Sequence, residues 1–278
     1  MGKVRAVVVA LACAAAMQTV ALGAGPSPGV IQGRDGIARG DVRYVAVPSM
    51  GETVLTAVQR DGGRVLRFKA LPGFWGIPLV DFSGTPGGLS RDGRTLILSD
   101  GSGLNPQAKR TSFLVVETKR FRVQQTVRVK GSFSFDALSP NARTLYLIEH
   151  LYSNEDPTHY RVRMYDLRKQ RLLARVISDR TSWDTDMQGM PISRLARDGW
   201  AYTLYGGPGP RAFIHALDTR HATAVCIFMP WKSQPENVFQ FRLRRDAAGH
   251  LVVRGPRGRV LTVVDMQEKR VLSSVRNP

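Results

Sequence analysis

Apolar and polar positions along this chain fall into short strand-like runs divided by tight polar turns. The unit is clearest between Ser132 and Glu149. A run ending at Leu138 leads into the turn Ser139-Pro140-Asn141-Ala142, and a second run covers Thr144-Leu145-Tyr146-Leu147-Ile148. Pro140 presets φ for the second position of a turn, and Asn141 tolerates the bend that follows. Thr, Tyr and Ile favour extended backbone, so the chain leaves the turn as a strand. No helical period of useful length occurs.

The unit recurs. Leu89-Ser90-Arg91-Asp92-Gly93-Arg94-Thr95-Leu96 aligns with Leu138–Leu145, with looser copies at Leu195–Trp200 and Leu243–Gly249. The leading leucines step by 138 − 89 = 49, 195 − 138 = 57 and 243 − 195 = 48 residues. A second marker follows each turn: an apolar run, an acidic residue, then a polar turn, at Glu117, Asp166, Asp218 and Asp265. These acids step by 166 − 117 = 49, 218 − 166 = 52 and 265 − 218 = 47 residues. Two markers sharing one period signal a repeat architecture.

Each period has room for four short strands. In the second unit they are predicted at Gly87–Ser90, Thr95–Ser99, Ser112–Glu117 and Val123–Val129. A four-stranded antiparallel sheet repeated at about 40–50 residues predicts an all-β fold, a β-propeller. A β-sandwich of short strands is the competing fold, but it would not repeat both markers at one spacing. The best count is five blades, near Val42–Val80, Asp81–Gly131, Ser132–Trp183, Asp184–Ser233 and Gln234–Pro278; an unrecognised strand set would make six. Residues 25–41 are Gly- and Pro-rich and read as a flexible or lightly docked leader before a single domain over residues 42–278. The part near Ile31–Ala38 is a candidate to close the ring on the last sheet.

The turn followed by a β-forming strand resembles the Ser-Pro-Asp-Gly turn of TolB-like and YVTN-type propellers, which are loosely related to WD40 repeats. More narrowly, Asp198–Tyr205, His215–Thr219 and Ala224–Ile227 look like a group of secreted actinobacterial propellers. The resemblance implies fold and location, and it supplies no catalytic residue.

Met1–Ala24 reads as a cleaved secretory signal peptide. It has a basic start at Lys3 and Arg5, an apolar stretch Ala6–Val20, and a small-residue cleavage site ending Gly23-Ala24. Gln18 and the small-residue end argue against a membrane anchor, so no transmembrane segment is expected in the mature chain. That chain would have 278 − 24 = 254 residues, enough for one large all-β domain, expected to be monomeric. It would retain Cys226 alone, hence no internal disulfide; the apolar run around Cys226 predicts a buried, inert thiol.

Charge narrows the partners. Lys and Arg number 40 against 22 Asp and Glu, a net +18, or 18 − 2 = +16 without Lys3 and Arg5. Outside the cytoplasm such a chain is drawn to wall polymers, acidic glycans or anionic lipid head groups, including peripheral contact with a membrane surface. A purely compositional origin of the excess arginine is the competing explanation. No aromatic-interleaved groove or nucleic-acid motif is present, which argues against nucleic-acid binding.

Loop length locates a candidate face. The loops Asp100–Arg110, Glu149–Tyr160 and Gly206–Arg211 join the second and third strands of their units and share a face with the connections between units. Insertions on one face of a repeat fold often mark the binding face. Glu149, His150, Glu155, Asp156 and His159 cluster in one of these loops, and Asp184 and Asp186 lie in the connection Trp183–Pro191 on the same face. The spacing fits no zinc signature, and no G-x-S-x-G motif accompanies Ser134 or Ser182. The reading is therefore an exported, non-catalytic binding module for a cell-envelope protein or anionic polymer, with no cofactor. The alternative is a metal-assisted hydrolase or lactonase, with a divalent cation held near the axis by Glu149, His150, Asp184 and Asp186.

Overall fold

The computed structural model describes residues 27–33, 35–151, 158–179, 186–207, 211–231 and 237–278. The export segment Met1–Ala24 lies outside the described residues, as do Glu155, Asp156, Ser182 and Asp184. The described residues form strands and three short 3-10 turns, and no helix among them is long and apolar enough to cross a membrane.

Five main antiparallel sheets follow one another along the chain. The first comprises Ile37–Arg39, Val42–Ser49, Glu52–Gln59 and Val65–Pro72. The second comprises Thr95–Ser99, Arg110–Glu117 and Arg122–Lys130; its leading strand is reduced to a single bridge between Leu89 and Leu96. The third comprises Phe133–Leu138, Thr144–His150, His159–Asp166 and Arg171–Ile177, with Met187–Gln188 added beside His159–Tyr160. The fourth comprises Met190–Arg197, Trp200–Gly206, Phe213–Asp218 and Thr223–Phe228. The fifth comprises Arg242–Arg245, Leu251–Arg254, Val260–Asp265 and Arg270–Ser274.

Burial separates a propeller from a sandwich. A sandwich sheet buries one face, whereas the middle sheets here bury both. In Thr95–Ser99, Leu96 and Leu98 pack on Leu55 and Ala57 of the first sheet, while Ile97 packs with Phe135 and Leu147 of the third. The third sheet turns Tyr146 and Ile148 toward the fourth, and the fourth turns Tyr202 and Leu204 toward the fifth. Side chains alternate across a strand, so a strand buried on both sides needs an almost continuous apolar sequence, which these runs have. Sheets stacked face to face in succession, with their first strands gathered on a common cavity, are the blades of a β-propeller.

The repeat markers are turn chemistry. Ser139 Oγ donates to Asn141 Oδ1 (2.8 Å) and accepts from the Thr144 N–H (2.9 Å); Ser90 does the same with Asp92 (2.6 Å) and Thr95 (2.9 Å). The acidic marker accepts two backbone N–H groups of the next hairpin: Asp166 from Arg168 and Lys169 (2.9 Å each), Asp265 from Gln267 (2.7 Å) and Glu268 (3.0 Å). Those donors, Lys169 first for Asp166 and Glu268 first for Asp265, hold both carboxyls below the usual range. Four residues after each acid the chain takes a positive φ, at Phe121, Gln170, Ala222 and Lys269. The next residue along from the acid then bonds back to the first turn, as Leu167 N–H does to the Arg143 carbonyl (2.9 Å).

The leader is more ordered than its composition predicts. Ile37–Arg39 is the first strand of the first sheet, paired with Val42–Tyr44, and Val30–Ile31 pairs with Ile77–Pro78. Its glycines serve close approach: a Cβ on Gly36 would stand 2.0 Å from the Tyr44 carbonyl oxygen. The segment near Ile31–Ala38 thus joins the first sheet and its neighbour, not the last sheet.

Candidate functional site

The first strands of the sheets converge on the axis, and one loop crosses it. Val80–Thr85 leads into the second sheet, yet it is stitched to the fourth. Asp81, fully buried, accepts from Ser83 Oγ (2.8 Å) and Thr85 N–H (3.0 Å) with one oxygen and from the Arg194 N–H (2.5 Å) with the other. Phe82 N–H donates to the Pro191 carbonyl (2.8 Å). The loop can cross because Gly87 and Gly88 follow it: a Cβ on Gly87 would meet Phe135 and Val80 at 2.7 Å, and Gly88 takes φ +94°.

On one side of this crossing lies a cavity of about 410 Å³, walled by four sheets. Ile37, Gly87, Leu89, Phe135 and Ala196 supply much of its wall, and it opens among the tight turns that carry Arg91, Pro140 and Asp198. Arg91 and Arg197 are exposed at this mouth. Arg197 bonds Asp198 at 3.0 Å. On the other side Ser134, Asp136, His150, Tyr160, Arg194 and Tyr205 surround a void of about 10 Å³.

Asp136 and Arg194 border both spaces. They form an ion pair through Arg194 Nη2 and Asp136 Oδ1, with side chains 5% and 3% exposed, and Arg194 Nη1 adds a bond to the Asp136 carbonyl (3.1 Å). A β-bulge places Asp136: Phe135 faces Leu147 and Ala137 faces Tyr146, so Asp136 is the extra residue and its side chain is re-aimed. Burial opposes charge on Arg194, but Asp136 and its other neighbours outweigh it and the guanidinium pKa rises. Asp136 Oδ2, Arg194 Nε and His150 Nδ1 have no hydrogen-bond partner among the described residues. Their side chains border the void, which is about the room one bridging water needs.

His150 Nε2 is bonded to Ser134 Oγ. Burial lowers the His150 pKa to about 4, and burial likewise lowers that of His215 to about 4. A base so weak has little driving force to activate a hydroxyl at neutral pH, and this pair lies behind the crossing loop. The half-buried Cys226 thiol is pushed up to about 12, by burial first and then by the Asp179 charge, so it is a poor nucleophile.

Of the four sequence-derived metal candidates, Glu149, His150 and Asp186 are among the described residues, and each is engaged by a different partner. Glu149 and His150 are neighbours on one strand and point to opposite faces. Glu149 is held by Arg163 Nη1 at 2.6 Å, and Asp186 by Arg161, while His150 is buried against Ser134. Asp184 lies outside the described residues. No group of three or more His, Cys, Asp or Glu among the described residues could hold a metal ion. Two further arginine contacts leave the third sheet's arginines partly engaged: Arg163 also bonds the Leu173 carbonyl (2.9 Å), and Arg175 bonds the Ala222 carbonyl of the fourth sheet (3.0 Å).

Sequence reasoning placed interest on the long-loop face, whereas the axial cavity opens on the tight-turn face opposite. It also passed over Asp136 and Arg194. Their signal was available: Asp136 stands between Phe135 and Ala137, and Arg194 between Ser193 and Leu195 in a strand that begins Met190-Pro191-Ile192, so each is a charge within a mostly apolar stretch, where an unpaired charge is costly.

No family model and no curated protein matches the sequence. Solved structures do. Hydrazine synthase of Kuenenia stuttgartiensis is 17% identical over 68% of this chain and 48% of its own, with a TM-score of 0.41. The Dos1 propeller is 10% identical over 82% of this chain and 55% of its own, at a TM-score of 0.47. The β-propeller domain of the trilobed protease from Pyrococcus furiosus is 8% identical over 88% of this chain and 71% of its own, at 0.44. The chain spans about half the length of the first two of these, at 48% and 55%. These likenesses bring no residue role to this chain.

Proposed function

We propose that this protein is an exported, non-catalytic binding propeller that receives an anionic group of a cell-envelope partner at the axial mouth on its tight-turn face. The observation that carries the reading is the cavity of about 410 Å³ walled by four sheets, with the exposed guanidinium groups of Arg91 and Arg197 at its rim. Concave, largely apolar pockets with a few converging polar groups are where ligands bind. The Asp136–Arg194 pair closes the floor of the cavity, so the anion is met at the rim. The net charge of +18 draws polyanions toward the whole molecule, and the rim gives them a defined place to dock. The reading as an exported protein rests on Met1–Ala24, and N-terminal sequencing of protein from the growth medium tests it. A mature chain beginning near Ala24 or Gly25 is the expected result.

Binding of purified cell-wall polymer to the mature chain, measured at two salt concentrations, tests the site. Arg91→Glu is expected to weaken binding by about tenfold with an unchanged melting temperature, because it reverses an exposed charge. Full retention of affinity in Arg91→Glu would move the site to the long-loop face. Metal content of the natively purified protein examines the hydrolase alternative. A stoichiometric divalent cation whose removal lowers the melting temperature would reinstate that alternative.

A further inference from the structure

The axial mouth does not end at its own rim. Arg197, Asp198 and Trp200 line the axial cavity and also line a second groove, of about 370 Å³, between the fourth and fifth sheets. Beyond Trp200 this groove carries Tyr202, Arg245 and Lys269. Trp200 and Tyr202 lie two residues apart on one face of a strand and stack with ring centroids 5.8 Å apart and planes 18° from parallel. Lys269 Nζ sits 4.2 Å from the Trp200 centroid and 5.7 Å from that of Tyr202.

This ammonium is therefore fixed. Lys269 belongs to the turn where the fifth sheet takes its repeated positive φ, here 55°, so its backbone is as constrained as its side chain. The rings hold it by cation–π attraction, sparing a ligand part of the entropy of ordering a long side chain. Arg245 stands beside it and spends one N–H on the Gly249 carbonyl (3.3 Å), leaving the rest of its guanidinium to the groove. Asp198, the groove's one carboxylate among these residues, is already engaged by Arg197. Arg91, Arg245 and Lys269 are cations spread over two connected concavities, with the Arg197–Asp198 pair at their junction.

We infer that the site extends across the tight-turn face and takes an extended polyanion with anionic groups at regular intervals, one end at the axial mouth and the following units in the Lys269 groove. A polyuronate chain and a polyol-phosphate chain both have this chemistry. Single-stranded nucleic acid fits less well, because base stacking needs a free aromatic face and Lys269 covers that of Trp200. The inference rests on the axial-mouth reading and adds the direction and length of the ligand.

The test compares chain lengths on the full mature protein. Binding of galacturonate monomer, a galacturonate octamer, a glycerol-phosphate octamer and a single-stranded oligonucleotide of equal charge is measured at low and physiological salt. The octamer of the matching source is expected to bind at least about tenfold tighter than the monomer, since its later units bind intramolecularly. Lys269→Gln with Arg245→Gln is expected to abolish that gain while leaving monomer binding and melting temperature unchanged. Whichever octamer binds tighter identifies the source. Equal affinity for monomer and octamers, or a length gain that survives in the double variant, would overturn the extended site and leave the axial mouth standing. Failure of monomer and octamers alike would defeat the axial-mouth reading itself. Preference for the oligonucleotide over both octamers would replace the polyanion class with nucleic acid.

Discussion

The buried pair of Asp136 and Arg194 offers the sharpest test of how this propeller is held at its axis. Asp136→Asn keeps the shape of the side chain and removes its charge. The guanidinium of Arg194 then remains 5% exposed at the side chain, with its carbonyl bond to residue 136 and the Asp81 carboxylate at its backbone N–H, but with no carboxylate bonded to the guanidinium itself. Removing one partner of a buried pair costs about 3–5 kcal/mol, most of it from the charge left stranded. Domains are stable by about 5–15 kcal/mol, so this is a large share of the whole. For a domain of this size the cost corresponds to roughly 6–20 °C in melting temperature. Arg194→Met strands Asp136 instead and is expected to cost a similar amount. The double variant strands neither, so it should cost less than the sum of the singles by about 2 kcal/mol or more. Urea unfolding of the four proteins, followed by tryptophan fluorescence and by circular dichroism, measures the cycle. Single variants within about 1 kcal/mol of the wild type, or strictly additive costs, would refute the argument that a dehydrated charge pair holds the first strands of the third and fourth sheets together.

Two further outcomes follow from local chemistry. His150 and His215 are held neutral, with pKa values of about 4 against an ordinary value near 6.5, so the unfolded chain binds more protons than the native one between these limits. Stability should therefore be highest above about pH 6.5 and fall as the pH drops toward 4, with each ring contributing about 2 kcal/mol of loss by pH 5; a flat urea midpoint from pH 7 to pH 5 would contradict the burial of both rings. Ala142 occupies φ 53°, where a side chain is strained and Gly is not, so Ala142→Gly should stabilise the protein by about 0.5–1 kcal/mol. Gly93 already occupies the equivalent place in the second sheet at φ 74°, and a loss of stability in the variant would show that the Ser139–Thr144 turn is not strained there.

The parts of this fold that were legible in the sequence are those fixed by neighbours in the chain. Ser139, Asn141 and Asp166 act on backbone groups within five residues, so their spacing survives in the sequence as a motif and reveals the hairpins. The same locality explains why the pairing of Val30–Ile31 and Ile37–Arg39 left no mark in the sequence. Gly36 is glycine because the Tyr44 carbonyl passes where a Cβ would stand, a contact that becomes visible only once the strand is paired. Loop length pointed to the opposite face, since length marks where a chain has freedom to vary, whereas the axial cavity marks where four sheets meet.

The axial site could not be read as a motif because radial stacking assembles it from residues far apart in the chain. Asp81 reaches Arg194 across 113 positions and Arg194 reaches Asp136 across 58, so no spacing rule links them. What the sequence did contain was the anomaly that makes such links necessary: a charge in the middle of an apolar run. In a strand with one solvated face, such a charge turns outward. In a middle sheet of a propeller both faces are covered, so it must either turn to the axis or find a counter-charge. Asp136 and Arg194 do both at once, and the bulge at Asp136 is the backbone adjustment that lets them. In a propeller, the isolated charges inside apolar strands are thus better pointers to the axis than the acidic clusters of its loops. Here those pointers lead to the side carrying the short turns, where Arg91, Arg197 and Lys269 remain accessible to a partner.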